Sequence, residues 1–391
     1  MHQHSPPSRV ESQDAGSRES VLELAEALQR IMLPQVPPRL HGVDVAQRYL
    51  PGNDLIQVGG DWFDAMALPG RRVGLVVGDV MGHGVASAAV MGQLRTAVQT
   101  LAHLGLTPCE VLGHLDEAAR RLSDTHLATC QYGIYDPVSR LFTLANAGHP
   151  PPILARPGEP ARLLRVPTGV PIGIGGHAFE AVEVELADGD LLALYTDGLV
   201  ENPKRDIGDG LDELCAALTG APEQLESVCD DVVKALNTEA RTDDAALLLA
   251  RFHGMDADRV ASWTLEPSAR AAGQARRLLG RALERWALPR LVPVAELAVT
   301  ELISNAIGFA SRPITLRVLR TDVVTIEVHD DSHALPALRG ADVLSDSGRG
   351  LYIVDHLTHR WGANRTEGGK VVWFELKSAT ARADTDQEAT P

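Results

Sequence analysis

Apolar residues recur along this chain with two different spacings, and the spacings sort it into elements before any chemistry is considered. From Glu19 the positions Val21, Leu24, Leu28 and Ile31 make a helical stripe that stops at Pro34, with more prolines at 37 and 38. A short amphipathic helix running into a rigid connector is expected there. Short apolar runs near 43–50, 72–78, 130–135, 140–145, 180–186, 190–195 and 245–251 predict strands, and longer stretches near 84–104, 108–122 and 222–238 predict helices. Many strands grouped with a few long helices imply a layered α+β fold, not a regular βαβ repeat.

The polar break HGMDADR at 253–259 opens a second pattern. Helices are predicted near 267–286 and 292–309, parted by Pro289, then strands near 314–320 and 322–329, a Gly-flanked helix near 349–357, and strands near 359–364 and 370–376. This reads as a smaller α/β unit. The expected plan is a disordered tail at 1–18, a helix and connector at 19–40, a first domain at 41–252, a linker at 253–262, a second domain at 263–376 and a tail at 377–391. The tails are too polar to offset the entropy of ordering them.

Composition narrows the function classes. A chain of 391 residues, 45% hydrophobic and 23% charged, is ordinary globular material for two or three domains. Its net charge of −16, from 52 acidic against 36 basic residues, would repel nucleic acid and an anionic membrane surface. The four cysteines, Cys109, Cys130, Cys215 and Cys229, show neither CxxC spacing nor a histidine cluster. That argues against a disulfide framework or a zinc site and for a reducing compartment. No apolar run approaches the ~18 residues needed to span a bilayer, and the polar N-terminus lacks a signal-peptide core, so a soluble cytoplasmic protein is expected.

Four acidic sites sit where apolar strands are expected to end in glycine: Asp61 in VGGDWFD, Asp79 in LVVGDVMGHG, Asp197 in LALYTDGL, and Asp243 with Asp244 in RTDDAALLLA. Singly, each reads as a turn aspartate. Together they offer carboxylates at strand ends, where glycine lets the backbone approach a ligand, and an oxygen-only donor set suits hard divalent cations. Two such cations can activate water and clamp a phosphoryl group, so phosphomonoester hydrolysis follows. His83 in GHG and His149 in AGHPP fit a general acid or, equally, a ring that braces a loop.

In the second pattern, Glu301 and Asn305 stand four apart in AELAVTELISNAIGFA and so share a helix face. Asp330 ends a strand in IEVHDDSHALP, and Gly348 and Gly350 in SGRGLYIV open an apolar helix, where backbone donors can meet phosphate.

From about Leu28 to Phe252 the chain resembles the metal-dependent type 2C protein phosphatases of the SpoIIE and RsbU branch. The matching blocks are LQRIMLP, RYLPG, VGGDWFD, GDVMGHG, ANAGHPPP, GVPIGIG, YTDGLVE and TDDAALLL. The resemblance implies an αββα sandwich holding two Mn²⁺ or Mg²⁺ ions. Asp79 would bridge both metals, Asp61 and the Val80 carbonyl would serve the second, and Asp197 and Asp243 the first. Asp243 matches the ligand position better than Asp244. The two short helices around GHG would form a switch that sets whether the metal site is competent, and the LQRIMLP helix, coupled to it, becomes a regulatory element.

From about Trp263 to Leu376 the chain resembles the Bergerat-type ATP-binding domains of anti-sigma-factor serine kinases such as RsbW and SpoIIAB. This implies that Asn305 holds Mg²⁺, Glu301 positions or deprotonates the attacking hydroxyl, Asp330 reads the adenine amino group, and Gly348 with Gly350 line the phosphates. A sensor histidine kinase is not implied, because no helix with a phosphoacceptor histidine precedes this region. Gly308 and Phe309 stand where the family carries a basic residue or histidine, and Ser332 where it carries glycine.

The two resemblances together imply a partner-switching regulator. It would dephosphorylate a STAS-type anti-sigma-factor antagonist, and its ATP-binding module would phosphorylate that antagonist or sequester a sigma factor. A second reading makes that module a non-catalytic, ATP-dependent docking platform, and a third makes the aspartates serve small phosphomonoesters. No direct nucleic-acid or membrane partner is expected; the N-terminal helix could pair two copies as a homodimer.

Overall fold

The computed structural model describes residues 40–52, 59–82, 84–122, 127–236, 243–336, 349–366 and 368–377. The expected N-terminal helix, His83, Gly348, the N-terminal tail and the C-terminal tail apart from Lys377 lie outside the described residues. The chain divides into two compact units, one from residues up to 102 with 108–254, the other from 103–107 with residues from 255 onward.

In the first unit, one sheet runs in the order β1 (Val43–Leu50), β11 (Ala245–Phe252), β10 (Leu191–Tyr195), β6 (Ile153–Ala155) and β7 (Arg162–Leu163). A second sheet runs β2 (Asp61–Ala67), β3 (Val73–Val80), β4 (Ala128–Asp136), β5 (Leu141–Ala147) and β8 (Thr168–Gly169), with β9 (Ala181–Glu185) also on β5. Their inner faces meet through Phe63, Leu75, Val77, Phe142, Leu194, Leu248 and Phe252. Every residue of β11 is buried. Such a strand, covered on both faces, reads as a near-continuous apolar run, AALLLA with Phe252 after the single charge of Arg251, not as an alternation.

Helices α1 (Val85–Ala102) and α2 (Pro108–Leu122) pack on the second sheet. Asp64, buried on β2, accepts from Arg95 at 3.1 Å and Gln99 at 2.6 Å of α1 and fixes that helix to its strand. The first sheet is covered by α4 (Ile207–Leu218) and α5 (Leu225–Ala235), reached through the one-turn helix α3 (Asp197–Val200). The layers are therefore α, β, β and α, as expected.

Besides the short β6, β7, β8 and α3, two longer elements of this unit escaped the periodicity. Strand β2 is opened by Asp61, not ended by it, and its acidic positions break the apolar run. Helix α4, IGDGLDELCAAL, carries two glycines and several acids, yet Asp206 caps it by accepting from the N–H groups of Gly208 and Asp209. A Cβ at Gly210 would lie 1.9 Å from the Val200 carbonyl oxygen, so glycine there is what lets α3 and α4 approach.

The second unit is an antiparallel sheet in the order β12 (Val260–Leu265), β13 (Ile314–Arg320), β14 (Val323–Asp330), β16 (Gly369–Lys377) and β15 (Arg360–Thr366). Helices α6 (Ala271–Arg285), α7 (Val292–Ile307) and α8 (Arg349–Leu357) are its described α-helices. On α7 the stripe Ala295, Ala298, Val299, Leu302, Ile303 and Ala306 joins the core with Leu316, Ile326, Val328 and Phe374. Burying one such leucine or valine fully contributes about 1.5–3 kcal/mol. Strand β12 starts inside the stretch read as a linker, because Ser262 and Thr264 interrupt its apolar pattern.

On β14, Glu327 is buried and lies opposite Arg317 of β13, which donates to it, as does His329. Burial alone would raise the Glu327 carboxyl; the Arg317 charge and the His329 bond outweigh it and hold the group at about 2. A folded pKa below the ordinary glutamate value contributes stability that is full above pH ~4.5 and lost as pH falls toward 2. Glu327→Gln takes the carboxylate charge away from the buried Arg317 guanidinium and should destabilise the unit by about 3–5 kcal/mol at neutral pH. Hydrogen exchange of the β13 and β14 amides in the full chain should show this, with a flatter response between pH 5 and 3 than the wild type.

Candidate active site

Asp61 and Asp79 are direct cross-strand neighbours on β2 and β3, so their side chains leave the same face of the sheet. Asp197 is the first residue of α3, just past the end of β10, and Asp243 lies two residues before β11. The neighbouring strands β10 and β11 thus deliver their carboxylates to one end of the sandwich. Thr196 joins the two sheets there: its hydroxyl, fully buried, donates to Asp61 Oδ2 at 2.6 Å and accepts from the Ala246 N–H at 2.8 Å. Nothing in sequence spacing linked Thr196 to Asp61. Its one signal was adjacency to Asp197.

The electrostatics place these carboxylates within one another's fields. Burial, then the charge of Asp79, pushes Asp61 well above the usual carboxylate range. Asp79 is raised to about 7 by burial and by the charges of Asp197, Asp243 and Asp244. Asp197 is raised by burial and by Asp243. Among the described residues no arginine or lysine pairs with Asp61, Asp79, Asp197 or Asp243. Such uncompensated, mutually repelling oxygens fit hard divalent cations, which supply the missing positive charge. No three His, Cys, Asp or Glu side chains among the described residues are already set at ligand spacing. The described carboxylates are electrostatic neighbours and not a preset ligand cage.

Asp243 and Asp244 have different surroundings. The Asp244 carboxylate accepts from the Gly52 N–H at 2.8 Å and lies where a Cβ on Gly59 would collide with it. Its carbonyl oxygen would be 1.9 Å from a Cβ on Gly198. Asp243 is exposed, and its Oδ1 accepts from the Asp244 N–H. The Val80 carbonyl oxygen lies against Gly60, where a Cβ would come within 2.3 Å of it.

His149 is a brace. Its Nδ1 accepts from the Thr129 hydroxyl at 2.7 Å and its Nε2 donates to the Tyr195 carbonyl at 2.9 Å, two residues before Asp197. Burial pushes its pKa down to about 4 against the opposing hydrogen bond, so the ring is neutral at pH 7 and both nitrogens are engaged. Asp116 holds the GVPIGIG loop, accepting from the N–H groups of Gly173 and Gly175.

In the second unit Glu301 and Asn305 lie on α7, half-buried and exposed. A Cβ on Gly350 would lie 2.6 Å from Glu301 Oε2, so the start of α8 abuts that carboxylate. Asp330 has a partner the sequence did not suggest: Lys370 Nζ donates to its Oδ1 at 2.7 Å, with the two side chains 6% and 1% exposed.

Residues 69–253 match the stage II sporulation protein E family and residues 265–376 the histidine kinase-like ATPase domain. A solved structure of the RsbU and RsbW domains of Rv1364c from Mycobacterium tuberculosis is 28% identical, with TM-score 0.54, covering 88% of this chain and 96% of that one. The chain carries a SpoIIE-type serine phosphatase domain followed by a histidine kinase-like ATPase domain. Among curated relatives, phosphoserine phosphatase RsbU of Bacillus subtilis is 23% identical over 59% of this chain and 70% of its own length. Phosphoserine phosphatase RsbP of the same organism is 31% identical over 46% of this chain and 45% of its own length. This phosphatase domain is of the PP2C type, which uses divalent metals, and its companion is an ATP-binding module. No described helix is long and apolar enough to cross a membrane.

Proposed function

We propose that this phosphatase acts in partner switching, removing phosphate from a phosphoserine or phosphothreonine of a small STAS-type anti-sigma-factor antagonist in the cytoplasm. The observation that carries it is the joining, in one chain, of the two domain types paired in the mycobacterial RsbU and RsbW structure. In this reading two Mn²⁺ or Mg²⁺ ions are held by Asp61, Asp79, Asp197, Asp243 and the Val80 carbonyl. They supply Lewis-acid activation of water and neutralise charge on the phosphoryl oxygens. Asp243 is preferred to Asp244, whose carboxylate is already engaged by Gly52. Thr196 and His149 position the site, the first by orienting Asp61, the second by fixing the end of β10. The domain limits 41–252 and 263–376 are part of the same proposal.

The second domain then engages the same antagonist, or a sigma factor, with ATP and Mg²⁺ at Glu301, Asn305, Asp330, Gly348 and Gly350. A docking module without phosphoryl transfer is the second reading, and the Lys370 partner of Asp330 favours it. One experiment separates these. The purified chain, given Mn²⁺ and a phosphorylated STAS-type protein, should release phosphate at a kcat/KM at least ~10²-fold above that for p-nitrophenyl phosphate, a difference of about 2.7 kcal/mol in transition-state binding. Preference for the small ester would defeat the protein-substrate reading. Adding labelled ATP to the unphosphorylated protein tests the module: label transfer that is lost in Glu301→Ala removes the docking-only reading.

A further inference from the structure

We propose that Lys370 is an internal competitor for the base of an adenine nucleotide, so that the affinity of this chain for ATP is set by release of the Lys370–Asp330 pair. The inference rests on the second unit being an ATPase-type domain, and is independent of the phosphatase substrate. Asp330 is the last residue of β14 and Lys370 lies directly opposite it on β16, so register alone puts the ammonium beside the carboxylate. Lys370 Nζ donates to Asp330 Oδ1 at 2.7 Å and to the Ser332 carbonyl at 3.3 Å, and the Ser332 N–H donates to the same Oδ1 at 2.9 Å. The ammonium also lies 5.8 Å from the ring centroid of Phe309, just beyond the end of the helix that bears Glu301 and Asn305. Lys370 thus stands between the strand end that carries Asp330 and the helix end that carries Asn305. A base that contacted Asp330 would have to enter there.

An adenine offers Asp330 a neutral amino donor, whereas Lys370 already offers a charged one, and charge-assisted hydrogen bonds are about twice as strong as neutral ones. Opening the pair strands a buried ammonium, which the fold resists. ATP then meets a competent pocket only in the fraction of molecules with the pair open, and its apparent dissociation constant rises by the inverse of that fraction.

The test is calorimetric titration of the full chain with ATP and Mg²⁺, in the wild type and in Lys370→Met, Lys370→Thr and Lys370→Arg. The neutral variants should bind at least tenfold more tightly, and Lys370→Arg, which keeps an ion pair, should stay as weak as the wild type. A wild type too weak to saturate, beside a neutral variant that binds measurably, is the same result. Equal affinities within threefold, weaker binding by the neutral variants, or no binding by any folded variant would overturn the proposal; weaker binding would make Lys370 a residue that positions Asp330. If both neutral variants unfold, acetylation of Lys370 in the wild type, read by mass spectrometry, decides. The amine should be protected without nucleotide and labelled at ATP concentrations that register in the titration, and unchanged protection there would overturn it.

Discussion

Asp79→Asn should abolish phosphatase turnover while leaving the fold intact. Asp79 sits at the centre of the acidic site, opposite Asp61 on the neighbouring strand and within the fields of Asp197, Asp243 and Asp244. Replacing it removes an anionic oxygen donor from the middle of that cluster. Lewis-acid and charge-neutralising contributions are worth several kcal/mol, and each 1.4 kcal/mol is tenfold in rate, so a loss of at least ~10³-fold in metal-dependent phosphate release is expected. The same substitution should not lower the thermal midpoint measured without metal, and should raise it slightly, because it deletes one of several carboxylates that raise each other's pKa. The midpoint increase that Mn²⁺ or Mg²⁺ gives the wild type by mass action should largely disappear. Turnover within threefold of the wild type would exclude Asp79 from the site.

Gly198→Ala should be nearly as damaging to activity, for a purely steric reason. A Cβ at Gly198 would be 1.9 Å from the Asp244 carbonyl oxygen, a backbone atom that cannot swing aside as a side-chain tip would. Either α3, which begins at Asp197, or the turn at Asp243 and Asp244 must move, and both carry carboxylates of the site. Forced overpacking of this kind costs about 1–3 kcal/mol of stability. A displacement near 1 Å costs about 10²-fold in rate. Phosphate release and chemical denaturation of the full chain would read both effects. Gly113 in α2 is the control: nothing lies within 4 Å of its added Cβ. Gly113→Ala should stabilise by about 0.5–1 kcal/mol and leave turnover alone. Equal behaviour of the two variants would show that the close approach at Gly198 does not shape the site.

Much of the fold was readable from periodicity because its core strands and long helices bury whole faces. The β11 run, and the α7 stripe that leaves Glu301 and Asn305 off the core, are examples. What stayed hidden was irregular for a reason: β2 carries its acids inward, and α4 depends on a capping aspartate and a glycine contact instead of a strong stripe. His149 shows the same limit at the site. Its sequence fitted an acid or a brace equally, and only its two buried partners make it a brace.

By itself the sequence determined the two-unit α+β plan and offered the candidate carboxylates, because apolar spacing and aspartates set beside glycines and apolar runs are local properties of the chain. Only the tertiary structure decided that Thr196 bonds Asp61, 135 positions away, that Asp244 turns toward Gly52 while Asp243 stays exposed, and that Lys370 neutralises Asp330. Those outcomes depend on which strands become neighbours and in what register, and register is fixed by packing the whole core, not by any one segment.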